Sequence, residues 1–114
     1  MIKGLRGSTI WSEDLNNLLP FYRDTLGLRL ETETDGFVVL SGGLALGTHS
    51  EVHGKAKDPY RHIVGLDCDD IKAEHKRLKD AGVEFLEDPQ HDGGVSFATF
   101  KDPEGNLLQL LQFS

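Results

Sequence analysis

The residues of this sequence best suited to chemistry are five histidines, one tryptophan and a glutamine in the last apolar segment. The segment 107–113 is almost wholly apolar and is typical of a β-strand. Because side chains alternate along a strand, Gln109 shares one side with Leu107, Leu111 and Phe113. An amide in an apolar row needs hydrogen-bond partners. We therefore expect Gln109 to face either a polar network or a ligand.

The histidines offer metal binding or proton transfer, but their positions are scattered. His53 and His91 fall in predicted loops, and His75 falls on the apolar stripe of a predicted helix, where packing is the better interpretation. His49 and His62 lie at the ends of predicted strands. No serine stands in a nucleophile-elbow context, and no glycine-rich loop of phosphate-binding spacing precedes a helix.

Composition restricts the partners. The chain of 114 residues has 19 acidic and 12 basic side chains, which gives a net charge of −7 and argues against nucleic acid as a partner. A neutral or cationic small molecule is electrostatically easier to bind. The N-terminus lacks the apolar core of a signal peptide, and no segment approaches the roughly 20 apolar residues of a membrane span. The single cysteine, Cys68, permits no intrachain disulfide and is expected to be a buried, inert thiol, so we expect a cytoplasmic protein.

The elements that position these residues repeat in two halves of one domain, 1–114. Module 1 covers about 1–50 and is predicted as strand 5–12, a helix, and strands 28–34, 37–40 and 44–49, with turns at 35–36 and 42–43. The helix has an apolar stripe and ends at Gly27, and Pro20 predicts a kink or a new start within it. The stripe consists of Leu15, Leu18, Leu19, Tyr22 and Leu26.

Module 2, about 61–114, follows a linker at about 51–60 and repeats the same order. It is predicted as strand 61–68, a helix capped by Asp69 or Asp70 and ended by Gly82, strand 83–86, and two long strands that begin at Val95 and Leu107. The last two strands are joined by the turn Asp102-Pro-Glu-Gly. The sequence therefore predicts a duplicated β-α-β-β-β module.

Three motifs in this order and spacing give the chain a family resemblance. They are Asp14-Leu15 followed by 21–28, then 68–71 with Ala81-Gly82-Val83, and finally 102–109. Together they resemble the vicinal oxygen chelate superfamily, which holds glyoxalase I, bleomycin-resistance, fosfomycin-resistance and extradiol dioxygenase proteins. The resemblance implies an α+β fold in which two βαβββ modules form a cupped, eight-stranded mixed sheet around a cleft, with helices on the outside. It also implies a homodimer.

The resemblance also implies a divalent metal in the cleft, held by residues on four strands. The corresponding positions in this chain are Gly7, Ala45, Ile63 and Gln109, and the first three have no donor atom in their side chains. A first-row metal needs three or four N, O or S donors. We therefore expect no cofactor. The alternative is Ni, Zn, Mn or Fe held by His62, Gln109 and His49, which requires the strand before Cys68 to slip by one residue.

The resemblance and the strand alternation together predict a ligand-binding face. Small residues on it either leave volume for an organic ligand or are covered by neighbouring side chains, and Trp11 offers a stacking surface with core packing as its alternative. Asp67 supplies a carboxylate at the cleft edge or is an exposed strand-end acid. The predicted ligand-binding residues are Gly7, Thr9, Trp11, Ala45, Gly47, His49, Ile63, Gly65, Asp67 and Gln109.

Three functions follow from these positions. The first is metal-independent binding of a planar or cationic small molecule, with antibiotic sequestration as one such role and no catalytic residue. The second is a metal-dependent lyase, isomerase or dioxygenase, which polarises vicinal oxygens. The third is a subunit or regulatory module whose cleft is packed shut.

Overall fold

The two halves form separate compact units in a computed structural model that describes every residue from Met1 to Ser114. The units are Met1–Gly54 and Lys55–Ser114, so the boundary falls inside the predicted linker. The eight strands form two mixed sheets of four. The α+β class and the repeated strand order are confirmed. No helix has the length and apolar content to cross a membrane.

Sheet 1 belongs to the first unit and has the order β1-β4-β3-β2. Strands β1 and β4 are parallel, and the other pairs are antiparallel, with an irregularity in β2 between Leu30 and Thr32. β1 begins three residues later than predicted, while β3 has the predicted bounds. The strands are β1 (Ser8–Ser12), β2 (Leu30–Thr34), β3 (Phe37–Leu40) and β4 (Leu44–Thr48).

The helical segment predicted in module 1 is divided in two. Its place is taken by a 3-10 turn, Leu15–Asn17, and a π-helical turn, Phe21–Thr25. Pro20 precedes the second turn as its N-cap residue, so the predicted new start near Pro20 is confirmed. Proline has no backbone N–H to donate, and this explains why the first turn does not continue through it.

One face of sheet 1 forms the core of the first unit together with these turns. Leu18 and Tyr22 are fully buried, as are Leu40 and Leu46 on the sheet. The backbone N–H of Leu15 donates to Thr48 Oγ1 at 3.0 Å and ties the first turn to β4. Thr9 and Trp11 lie on the opposite face of the sheet.

Sheet 2 belongs to the second unit and has the order β5-β8-β7-β6. Its one α-helix is capped by Asp70, whose side chain accepts from Ala73 N at 3.1 Å, and Gln112 Oε1 accepts from Ile71 N at 2.8 Å. The helix therefore lies on the Gln112 side of β8. The elements are a 3-10 turn (Pro59–Arg61), β5 (Ile63–Asp67), α1 (Ile71–Asp80), β6 (Gln90–Asp92), β7 (Val95–Lys101) and β8 (Leu107–Phe113).

The strand predicted at 83–86 is wrong. This segment makes only an isolated bridge, Phe85 to Phe100, although Leu86 N donates to Thr99 O at 2.9 Å. The fourth strand is instead β6, whose Gln-His-Asp sequence has no apolar alternation to predict it. Asp88-Pro89 separates the two segments, because proline cannot donate to a strand ladder.

The turn between β7 and β8 fixes the register of the longest hairpin. Asp102 is only 5% exposed, and its Oδ1 accepts from the backbone N–H of Glu104 at 2.8 Å and of Asn106 at 3.0 Å. Its Oδ2 accepts from Asn106 Nδ2 at 2.8 Å. Gly105 adopts φ +82, which a side chain would strain. With the turn closed in this way, Thr99 pairs with Gln109.

Candidate functional site

An aromatic ledge lies on the face of sheet 1 that carries Thr9 and Trp11. The ledge consists of Trp11, Phe37 and His49 around Gly47. The strand register places Trp11 on one side of Gly47 and Phe37 on the other. The ring centroids of Trp11 and Phe37 lie 5.8 Å apart, and those of Trp11 and His49 lie 5.3 Å apart in an edge-to-face arrangement. Trp11 is nevertheless 43% exposed, so the indole is held in place and remains open to solvent.

Gly47 makes room for this indole. A Cβ atom at Gly47 would lie 2.4 Å from Trp11 Cζ3 and 3.0 Å from Phe37 Cδ1. The space above Gly47 is therefore filled by the rings of Trp11 and Phe37 and is not a cavity. Phe37 was missed as a site residue, although counting across the Gly42-Gly43 turn would have placed it opposite Gly47.

The other predicted residues of this face contribute to strand pairing or to the orientation of the aromatic rings. Thr9 pairs with Ala45 one row away, and Ala45 is buried. A Cβ atom at Gly7 would lie 2.2 Å from Gly43 O, so Gly7 allows two backbone segments to approach closely. His49 Nδ1 accepts from Glu51 N at 3.0 Å, which fixes the orientation of the ring beside Trp11.

Gln109 lies in a polar relay on sheet 2. Gln109 Nε2 donates to Thr99 Oγ1 at 3.1 Å, and Thr99 Oγ1 donates to Glu87 Oε1 at 3.1 Å. Thr99 is only 6% exposed, whereas Gln109 and Glu87 are half-buried. Of the two alternatives for Gln109, a polar network is therefore present. Thr99 could have been found by counting back through the hairpin, but no pattern in the sequence indicates Glu87.

The remaining predicted residues share the face of Gln109. β5 pairs with β8 without a register shift, which places Ile63, Gly65 and Asp67 on this face. A Cβ atom at Gly65 would lie 2.8 Å from Leu111 Cδ1, so Leu111 covers this glycine. Asp67 is exposed at the end of β5. Since the register does not slip, alternation puts His62 on the opposite side from Gln109.

The donor set does not fit the divalent metal implied by the resemblance. Gly7, Ala45 and Ile63 have no donor atoms, and the Gln109 amide is engaged with Thr99. Nowhere in the chain do three or more His, Cys, Asp or Glu side chains come together in a metal-binding group. A neutral amide oxygen alone is a weak ligand for a first-row metal.

A separate groove of about 780 Å³ lies in the first unit, away from the predicted residues. Its walls include Asp14, Glu33 and Asp35 together with Val38 and Thr48. Val38 and Thr48 belong to the face opposite Trp11. No pattern in the sequence indicates this groove, because the turn at 35–36 and the 3-10 turn that line it lie far apart in the chain.

Cys68 is half-buried and free. Its pKa is raised, chiefly by burial and further by the negative charges of Glu74, Asp69, Asp67 and Asp70. The expected buried position is therefore only partly right. The environment is the opposite of the electropositive one that activates a cysteine nucleophile.

Comparison with known proteins identifies the family. The model of the Glyoxalase/Bleomycin resistance protein/Dioxygenase superfamily matches residues 7–110. The chain belongs to this superfamily. It is 31% identical to the uncharacterized protein YurT of Bacillus subtilis (strain 168), over 92% of this chain and 95% of YurT.

Solved structures agree with this assignment. A superfamily member from Sphaerobacter thermophilus is 25% identical with a TM-score of 0.78, over 98% of this chain and 99% of that one. A protein of unknown function from Agrobacterium tumefaciens str. C58 is 19% identical with a TM-score of 0.81, over 100% of this chain and 97% of that one. A lactoylglutathione lyase from Agrobacterium tumefaciens is 18% identical with a TM-score of 0.74, over 97% of this chain and 94% of that one. The last two show the fold alone, and they agree with an α+β fold of two four-stranded mixed sheets.

Proposed function

We propose that this superfamily member binds a planar organic molecule, neutral or cationic, on the aromatic ledge without a metal. The observation that carries the proposal is the indole of Trp11, which is held by Phe37 and His49 and still 43% exposed. An aromatic ring that is already ordered loses little conformational entropy when a ligand stacks on it. Such a ring is therefore a favourable anchor for a planar ligand.

Charge selects among planar ligands. The net charge of −7 attracts a cation, and a cation above an indole gains a further ~0.5–2 kcal/mol. The absence of donor side chains at Gly7, Ala45 and Ile63 supports binding without metal chemistry. Sequestration of an antibiotic by a cytoplasmic homodimer is the biological role that we propose for such a protein.

Calorimetric titration with N-methylquinolinium and with bleomycin tests the proposal. The protein is first stripped with a chelator and its metal content is measured. We expect N-methylquinolinium, as a planar cation, to bind the stripped protein, and Trp11→Ala to weaken this binding about tenfold. Tyr60→Ala is the matched control, because Tyr60 is an exposed aromatic residue outside the ledge.

Two outcomes would overturn the proposal. Equal affinity of the wild type and Trp11→Ala would remove the ledge from the binding site. Binding that returns only after a metal is added would favour the metal-dependent alternative. Bleomycin separates a general planar-cation site from one suited to this antibiotic class.

A further inference from the structure

The relay on sheet 2 has a defined hydrogen-bond polarity. A carboxylate can only accept, so the single hydroxyl proton of Thr99 points to Glu87. The Thr99 oxygen must then accept from its other neighbour, Gln109. Only the Nε2 end of the amide can donate, so Glu87 determines, through Thr99, which end of Gln109 faces the relay.

The other end of the amide is left as an acceptor. The side chain of Gln109 makes no hydrogen bond besides the one to Thr99. Its Oε1 is not among the buried polar atoms that lack a partner, so solvent can reach it. The residue as a whole is half-buried. We propose that Glu87 and Thr99 are positioning residues that fix the Gln109 carbonyl oxygen as the acceptor for an N–H-bearing cation, of the ammonium or guanidinium class.

The charges on this face agree with a cationic ligand. Asp67 follows Gly65, the neighbour of Gln109 on β5, by two residues, which is about 7 Å along the strand. At the other end of the face, Lys101 is engaged with Glu84, whose Oε2 lies 3.4 Å from Lys101 Nζ. The acceptor of Gln109 is thus accompanied by carboxylates, and the nearby cation is already paired.

The amide at position 109 gives a different hydrogen-bonding pattern from a carboxylate. A glutamate there would bring two acceptor oxygens and a charge, and it could not donate to Thr99. The amide donates to Thr99 and keeps one neutral acceptor. This site requires no metal, and it lies on a different sheet from Trp11, so its test is independent of the aromatic ledge.

The test follows the Gln109 side chain by NMR. The probe is methylguanidinium, and sodium acetate serves as the anionic counterpart. In the wild type we expect methylguanidinium, but not acetate, to shift the Gln109 Nε2 and Cδ resonances. In Glu87→Gln the new amide can donate a hydrogen bond to Thr99 Oγ1. Thr99 can then donate to Gln109, so the Gln109 amide can flip and present its other end to the relay. We expect this variant to bind methylguanidinium about tenfold more weakly, since a hydrogen bond to a charged group is lost.

Asp92→Asn is the matched control, because it removes one negative charge from an exposed position in β6 without touching the relay or the pair between Lys101 and Glu84. Thr99→Val interrupts the relay by a second route, and an unchanged backbone amide spectrum shows whether each variant is folded. Equal methylguanidinium affinity in the wild type and folded Glu87→Gln would overturn the proposal. A shift of the wild-type Gln109 resonances by acetate would overturn it as well. A loss in Asp92→Asn as large as that in Glu87→Gln would show that charge alone acts, which also refutes the positioning role.

Discussion

Replacing Gly47 by alanine tests the packing on which the aromatic ledge depends. The added Cβ would lie 2.4 Å from Cζ3 and 2.7 Å from Cε3 of Trp11. Carbon atoms in contact normally lie roughly 3.5–4.0 Å apart, so the indole must retreat by roughly 1 Å. Since Trp11 is 43% exposed, it can swing outward into solvent, and we expect this movement to dominate over a shift of the strands.

The expected cost follows from the contacts that Trp11 would lose. Its pairs with Phe37 and His49 are each worth about 0.5–1.5 kcal/mol, which gives a loss of about 1–3 kcal/mol. Alanine in a strand offsets about 0.5–1 kcal/mol of this loss, because glycine has more conformational freedom in the unfolded chain. The net decrease in the free energy of unfolding is about 1 kcal/mol, equivalent to a Tm lower by about 3–7 °C.

Thermal unfolding and tryptophan fluorescence measure these effects. Trp11 is the only tryptophan, so a red-shifted emission and stronger acrylamide quenching report its movement directly. Gly65→Ala is the matched control, because its Cβ would meet only the flexible end of Leu111. The control should keep the wild-type Tm within about 2 °C. A Gly47→Ala protein with the wild-type Tm, emission and quenching would refute the packing argument.

Two further predictions concern the second unit. Asp102→Ala should lower the free energy of unfolding by about 3 kcal/mol, because three N–H donors lose a buried carboxylate. Asp69→Ala, at an exposed position, is the control and should cost less than about 0.5 kcal/mol. Chemical denaturation measures both variants, and equal denaturation midpoints would contradict the role of the turn. The raised pKa of Cys68 lowers its thiolate fraction, so at pH 8 iodoacetamide should modify the native chain more slowly than the urea-unfolded chain. Glu74→Gln removes one of the negative charges that raise this pKa and should accelerate the native reaction, and identical native rates would show that burial alone controls it.

The strands of the sheets were largely predictable because their patterns are local. β3 and β8 have the predicted bounds, since each is a short apolar run between turn residues. The turn of Asp102 and Gly105 fixes the hairpin register and thereby the pairing of Gln109 with Thr99. The alternation along β1 places Thr9 and Trp11 on one face, whereas Gly7 precedes the strand.

The features that were missed depend on contacts between distant residues. β6 is polar and is stabilised by pairing with β7, so no periodicity indicates it. Glu87 reaches Thr99 across 12 positions of the chain, and its role follows only from the path of the segment before β6. The helix predicted in module 1 had the correct apolar stripe, but Pro20 and the packing on sheet 1 divide it into two turns.

In equivalent rows of the two sheets, the glycine and the side chain that covers it lie on opposite strands. The parallel rows Trp11–Gly47 on sheet 1 and Asp67–Leu111 on sheet 2 occupy the same place in the repeated topology. On sheet 1 the large side chain is on the edge strand and the inner strand provides the glycine; on sheet 2 the inner Leu111 covers Gly65. Trp11 and Gly47 are therefore a matched pair whose mutational effects should not add, because once Trp11 is removed an alanine at Gly47 no longer meets the indole. The aromatic ledge accordingly lies on the sheet whose inner strand provides the glycine.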